Sequence, residues 1–347
     1  MNQPKFAFCG AGFWANFQLA AWNELDQARC VAICDPDLDK ASKLANRFGV
    51  PKVYRDAKTM LSQEAIDFVD IVSSPNSHDS LVRLAAARKL PTICQKPLTE
   101  DWDSCSALVK YCQEQGSWMA VHENWRWQRP LRYVASQLSQ GAIGRVLRCR
   151  MDMITGFNVF ANQPTLAKQK RFIIVDLGCH LLDYARFLFG EASILSCFTS
   201  RSSPEIVGEN VATILMKMGK SEIQVLVEVA YANTPIADDC FPQTLMFIEG
   251  DQGSLVLRPN FQVDITTHAG TVSEIVHPMM YDWVDPKYTV VHSSMVECNR
   301  NLLDSLRAGM PAETDAADNL RTMQLVFAAY DSSDAGKTIR FDHDESW

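Results

Sequence analysis

Short apolar runs alternate with stretches of helical period through the first third of the chain. Phe6-Ala-Phe-Cys9, Cys30-Val-Ala-Ile-Cys34, Phe68-Val-Asp-Ile-Val72, Thr92-Ile-Cys94 and Trp118-Met-Ala-Val121 have the length and composition of buried strands. Between them, Leu38, Ala41, Leu44, Ala45 and Phe48 recur at helical spacing and stop at Gly49. Residues 81–88 and 104–115 are helical as well, and the second of these stops at Gly116. Such alternation demands a parallel sheet with right-handed crossovers.

The pattern changes after a helix over 130–140 that stops at Gly141. Long runs of alternating polarity follow at 145–154, 211–218, 223–231, 244–249, 254–257 and 262–266, with few helices among them. They predict a large, mostly antiparallel sheet. Helices over 295–308 and 316–333 and a short strand at 338–341 close the chain. The expected fold class is thus α/β in residues 1–123 and α+β with an open sheet in residues 124–347. A broad sheet with helices on one face leaves the other needing cover, which implies a homodimer or homotetramer through that sheet.

Candidate chemistry begins at the first strand, which runs into Gly10-Ala-Gly12-Phe13-Trp14-Ala15. A G-x-G-x-x-A turn lets the chain double back tightly and lets a pyrophosphate approach the backbone. It also aims the next helix's free N–H groups at the phosphates. Asp35 ends the second strand 20 positions after Ala15, where a carboxylate can accept from an adenosine ribose and repel a 2′-phosphate, favouring NAD over NADP. Ser74-Pro-Asn76-Ser-His78 is read as a polar loop at a strand's carboxyl end, where ligands of open α/β sheets bind.

Composition narrows the field. The chain has 347 residues and a net charge of -8, with no basic stripe, so nucleic acid is not an expected partner. No apolar run is long enough for a membrane span, and no apolar run behind a basic start marks a signal peptide. Eleven cysteines without a C-x-x-C pair fit reduced thiols and a cytoplasmic protein, not disulfides or zinc.

A second chemical cluster lies in Phe172-Ile-Ile-Val-Asp176-Leu-Gly-Cys-His180-Leu-Leu-Asp183, read as a helix ending at Gly190. Asp176, His180 and Asp183 stand at i, i+4 and i+7 on one helical face. A carboxylate one turn from an imidazole can orient it as a base; a helix carrying satisfied polar residues would show the same spacing. One imidazole with no second histidine at ligand spacing is a poor metal site, so no metal is expected.

Several pieces in order, Gly10-Ala-Gly12 with Asp35, Ser74-Pro-Asn-Ser-His78, Cys94-Gln-Lys-Pro97, Gly141-Ala-Ile-Gly144, Asp176-Leu-Gly-Cys-His180 and the two closing helices, resemble the Gfo/Idh/MocA family of glucose–fructose oxidoreductase and inositol dehydrogenase relatives. The resemblance implies an N-terminal Rossmann domain, a C-terminal open-sheet domain, an NAD cofactor, and hydride transfer from a sugar or polyol hydroxyl carbon. It implies catalytic roles for Lys96, Asp176 and His180. It implies cofactor contacts from Gly10, Gly12, Phe13, Trp14, Asp35, Ser74, Asn76, His78, Gln95 and Lys96. Substrate contacts would come from Lys96, Asn124, Arg126, Trp127, Asp176 and His180. Trp125 and Trp127 could stack on sugar faces, or be split across a strand with one in the core. Gln95 departs from the family's usual glutamate before the lysine, and Phe172-Ile-Ile-Val replaces its glycine-rich lead-in. With His122-Glu-Asn-Trp-Arg-Trp-Gln128, the chain resembles the subgroup that includes D-apiose-type sugar dehydrogenases. A redox-inert sugar sensor or an NAD-dependent glycosidase on the same scaffold are the alternatives.

Overall fold

The computed structural model describes residues 3–231 and 243–341, which divide into two compact units. The first holds residues 3–124, 281–284 and 295–323; the second holds the rest. Where one cut after residue 123 was expected, two later segments therefore group with the N-terminal part.

In the first unit, strand and helix alternate as β1 (Lys5–Cys9), α1 (Ala15–Leu25), β2 (Arg29–Cys34), α2 (Leu38–Phe48), β3 (Lys52–Tyr54), α3 (Ala57–Gln63), β4 (Phe68–Ile71), α4 (Pro75–Ala86), β5 (Thr92–Gln95), α5 (Trp102–Gln115) and β6 (Met119–His122). All six strands are parallel, in the order β3-β2-β1-β4-β5-β6. The order reverses between β1 and β4, the switch point at which a doubly wound sheet opens its ligand crevice. Phe6, Trp22 and Phe68 pack against one another in the core, with Phe6 and Phe68 stacked at 4.9 Å.

Three features differ from the sequence reading. Strand β3 and helix α3 were not expected; β3 is short, and Asp56 starts α3 by accepting from the Thr59 N–H at 2.8 Å. The expected loop 74–78 is instead the opening turn of α4. Pro75 sits at the first helical position, where its missing N–H costs no hydrogen bond, and Ser74 is the extended residue before it.

In the second unit, α6 (Arg129–Ser139) precedes β7 (Val146–Thr155), α7 (Cys179–Phe189), β8 (Ala192–Ser200), β9 (Val211–Met218), β10 (Ile223–Tyr231), β11 (Leu245–Gly250), β12 (Gly253–Leu257), β13 (Gln262–Thr267) and β14 (Gly270–Ile275). After α8 (Thr289–His292) come α9 (Ser294–Ala308) and α10 (Ala316–Ala335), which group with the first unit up to Met323, and then β15 (Ile339–Arg340) in the second. The nine-stranded sheet runs β14-β13-β12-β11-β7-β10-β9-β8-β15 and is antiparallel except at β7 and β10. Ala212, Ile214, Met216 and Met218 of β9 and Val225, Val227 and Val229 of β10 bury one face. The neighbouring positions leave Phe198 and Leu215 open, 75% and 51% exposed, with Phe247 at 41%. Strands β8 and β14 were missed; every residue of β14 is exposed, so it carries no burial pattern to read.

Candidate functional site

In the first unit, the turn after β1 is shaped by Gly10. Its φ is +113°, and a Cβ there would lie 2.4 Å from the Val72 carbonyl oxygen. Only glycine lets the end of β1 pass β4 so closely. Its N–H donates to the Cys34 carbonyl at 2.7 Å. Gly12, by contrast, faces open space, with nothing within 4 Å of a built Cβ. Half-buried Phe13 and Trp14 lead into α1, and no side chain caps that helix. Within that first turn, the Phe17 and Gln18 N–H groups both donate to the Trp14 carbonyl, at 3.0 and 3.2 Å.

Asp35 closes the turn from the side. Its Oδ2 accepts from the Ala11 N–H and its Oδ1 from the Asp37 N–H, each at 2.8 Å. A carboxylate offers about four acceptor directions, so two remain for ribose hydroxyls. The open face at Gly12, the uncapped start of α1 and the carboxylate at the end of β2 fit the phosphates and ribose of NAD.

Ser74 and Asn76 are exposed on the first turn of α4, but His78 is not. Its ring is fully buried, with Nδ1 3.0 Å from the Pro97 carbonyl and Nε2 3.1 Å from the Ser73 carbonyl. Burial pushes this imidazole below its ordinary pKa. His78 thus bolts the end of β4 to the turn after β5, and the cofactor contact expected of it gives way to this internal role. Gln95 ends β5, buried, and its Oε1 accepts from the Lys96 N–H at 2.9 Å. Lys96 is half-buried and joined to Pro97 by a cis peptide; Asn124 is buried.

In the second unit, residues Trp125–Trp127 form a 3-10 turn, so the alternation expected of a strand does not apply to the two tryptophans. Trp125 is buried, donates from Nε1 to Thr244 Oγ1 at 2.9 Å, and stacks on His180 with centroids 4.3 Å apart and planes at 16°. Trp127 is half-buried beneath the guanidinium of Arg132, 3.5 Å from its ring centre. Arg126, expected to meet a substrate, instead pairs with Asp183 at 2.8 and 2.5 Å through two guanidinium nitrogens, both side chains being buried.

The helix that carries the cluster is not uniform. Ile174–Gly178 is a π turn that runs into α7. Its wider i→i+5 winding changes the facing expected from an uninterrupted α-helix. Gly178 sits where a Cβ would press on the Ile174 side chain at 3.2 Å. His180 is buried, and Asp176 is half-buried and accepts from Tyr231 Oη at 3.3 Å. Burial, with the charge of Asp176 beside it, pushes the Tyr231 phenol well above its ordinary pKa, so it stays a donor. Tyr231 also stacks on Phe172 at 5.6 Å and 10°. Its role was missed, although its parity with Val225, Val227 and Val229 along β10 places it on the buried face.

Two family models match the chain: the oxidoreductase family with NAD-binding Rossmann fold over residues 4–123, and the GFO/IDH/MocA C-terminal domain over residues 131–256. The D-apiose dehydrogenase of Rhizobium rhizogenes is 38% identical over 339 residues, covering 98% of each chain. That of Paraburkholderia graminis is 39% identical over 335 residues, covering 96% of this chain and 89% of the relative. An oxidoreductase from Agrobacterium radiobacter, crystallised with NAD+, L-tartaric acid and magnesium, superposes with a TM-score of 0.95 at 37% identity, covering 98% of each chain. With a glycine turn and carboxylate shaped for a dinucleotide in one unit and a histidine–aspartate cluster beside an open sheet in the other, this chain belongs to the Gfo/Idh/MocA family of NAD-binding oxidoreductases.

Proposed function

We propose that this oxidoreductase acts on a hydroxyl group of a sugar or polyol, with D-apiose the first substrate to try. The observation that carries the reading is the local order around His180: an imidazole held flat on Trp125, on the helix whose Asp176 is held by Tyr231. Two relatives named D-apiose dehydrogenase support the choice of substrate.

In this reading, His180 takes the hydroxyl proton and Asp176 orients the substrate and the imidazole. Lys96 donates to the reacting oxygen and stabilises the negative charge that develops there. Bound NAD supplies the hydride acceptor. Gly10, Gly12, Phe13, Trp14, Asp35, Ser74 and Asn76 hold the cofactor, with Asp35 selecting NAD over NADP. Asn124 and Trp127 are left as substrate contacts, since Arg126 is committed to Asp183.

The test is NADH formation by the purified protein across D-apiose, other aldoses and cyclitols. D-Apiose is expected to give the highest kcat/KM. Replacing His180 by Asn is expected to lower turnover by roughly 10²–10⁴-fold. An unchanged rate would remove His180 from the mechanism, and NADH binding without oxidation of any sugar would sink the reading.

A homo-oligomer in the cytoplasm completes the proposal, the open sheet face of Phe198, Leu215 and Phe247 forming the subunit contact. Light scattering of F198D/L215D against the unaltered protein checks it: a monomer is expected from the variant alone.

A further inference from the structure

Beneath the cofactor turn of the first unit, a buried polar chain leads from Asp70, to which no role has been assigned, to Gln95 and Lys96. Asp70, in the middle strand β4, is fully buried. It accepts from Trp22 Nε1 at 2.7 Å and from Gln18 Nε2 at 2.8 Å to each oxygen. Among the described residues, no cation pairs with it. Gln18 Oε1 in turn accepts from Gln95 Nε2 at 2.8 Å, and Gln95 Oε1 accepts from the backbone N–H of Lys96 at 2.9 Å. The second hydrogen of Gln95 Nε2 points to His122 Nδ1 at 3.3 Å. His122 Nε2 lies 2.9 Å from Asn299 Oδ1.

Chemistry allows one polarity for this chain. A backbone N–H only donates, so the Lys96 end fixes both intervening amides, and Asp70 accepts from Gln18 at the other end. Gln18 must turn its NH2 to Asp70, which leaves its oxygen for Gln95. Gln95 must turn its oxygen to Lys96, which leaves its NH2 for Gln18 and His122. His122 must then accept at Nδ1 and carry its proton at Nε2, donating to Asn299. Burial pushes His122 down to about 4, in keeping with a neutral ring. Asn299 Nδ2 is left buried without a hydrogen-bond partner. Gln18, Gln95, His122 and Asn299 are all buried.

We propose that Asp70 is a positioning residue for Lys96: its carboxylate polarises the Gln18–Gln95 amide relay, whose other end holds the Lys96 backbone at the mouth of β5. The relay tolerates one negative charge. A glutamate at position 95 would make Gln18 turn its NH2 away from Asp70 and set two carboxylates at the ends of one amide. An asparagine at position 70 would set its NH2 against that of Gln18. Both changes together reverse the relay: the introduced asparagine donates its amide N–H to Gln18 Oε1, and Gln18 Nε2 donates to the introduced glutamate. His122 then donates from Nδ1, and the Asn299 amide, turned over, donates from Nδ2 to His122 Nε2.

The experiment compares D70N, Q95E and D70N/Q95E, rests on the proposed role of Lys96 for its kinetic arm, and reads three quantities. Each single variant is expected to lower the thermal midpoint by several degrees and kcat roughly tenfold, or about 1.4 kcal/mol. The double variant is expected to regain most of both. Nitrogen-15 NMR of the histidines is expected to show His122 protonated at Nε2 in the parent and at Nδ1 in the double variant. Losses that add in the double variant, or an unchanged His122 tautomer, would overturn the relay. Rescue of stability and tautomer with kcat unmoved throughout would overturn its positioning of Lys96. A K96M variant that keeps full activity would instead sink the reading of Lys96, while leaving the tautomer exchange intact.

Discussion

The imidazole of His180 lies flat on the indole of Trp125, with centroids 4.3 Å apart and planes at 16°, and the indole is itself pinned by its N–H to Thr244. An aromatic floor of this kind fixes the plane of the imidazole. If His180 has its proposed role as proton acceptor, replacing Trp125 by Ala is expected to lower kcat by roughly 10–100-fold, because a misplaced acceptor loses near-attack geometry. Trp125→Phe keeps a face and is expected to lose less. Steady-state kinetics of the two variants checks this; equal losses would show that bulk, rather than the stacked ring, is what matters.

The ion pair between Arg126 and Asp183 gives a second expectation. Both side chains are buried, so removing one partner strands a charge. Asp183→Asn is expected to cost about 3–5 kcal/mol in chemical denaturation. The double change Arg126→Met with Asp183→Leu removes both charges and is expected to recover much of that loss. A double variant as unstable as the single one would mean that the pair itself, not the stranded charge, supplies the stability.

Gly10 and Gly12 are separable. Gly10→Ala adds a Cβ against the Val72 carbonyl at a backbone angle that favours glycine, and is expected to cost at least about 2 kcal/mol of stability. Gly12→Ala meets nothing in the protein, so the thermal midpoint should hold while NADH binding weakens. Fluorescence titration of NADH beside a melting curve distinguishes the two. Tight NADH binding by the Gly12 variant would remove that face from the pyrophosphate site.

What could be read from the chain alone follows from how local each cause is. The strand-helix alternation and the G-x-G turn with Asp35 are local, and both units show the expected layers. Asp176 and His180 were visible through their spacing. Tyr231 was not singled out because its partner Asp176 lies 55 residues away, on another element. The pairing of Arg126 with Asp183 was not legible for a similar reason, since Asp183 is 57 residues distant and only the folded chain brings the pair together. The π turn at Ile174–Gly178 is local, yet its residues are compatible with an ordinary helix. The buried relay from Asp70 to Lys96 joins several elements, and no segment of sequence contains it.

Asp35 offers a test of cofactor choice. Its carboxylate stands at the end of β2 beside the Ala11 N–H, where a 2′-phosphate would meet its charge. Asp35→Ser removes the charge and keeps a small acceptor. The variant is expected to raise KM for NAD by about tenfold and to narrow the gap between NAD and NADP, as loss of one like-charge repulsion would. An NAD/NADP ratio of kcat/KM that does not move would place the selectivity elsewhere.

The pH dependence of stability turns on buried histidines. His292 is fully buried, stacked on Tyr288 at 4.9 Å and 13°, and burial pushes it from 6.5 down to about 3. His122 is pushed down to about 4 and His78 is lowered as well. In each, the unfolded chain takes up a proton before the folded one. Their stabilisation is therefore complete above about pH 6.5 and is lost as pH falls toward the folded values. Asp70 works the other way: burial raises it from 3.8 to about 7, so its contribution is complete below 3.8 and is lost as pH rises through 7. Asp70 cancels one histidine in the shared window, and a net acid-side loss remains. Replacing His292 by Phe keeps the ring on Tyr288 and deletes one titration. Between about pH 6.5 and 3 the variant is expected to show a stability slope shallower by about 1.4 kcal/mol per pH unit, one proton's worth. Denaturant unfolding of both proteins across that range measures it, and parallel curves would show that His292 takes up its proton equally in the folded and unfolded chains.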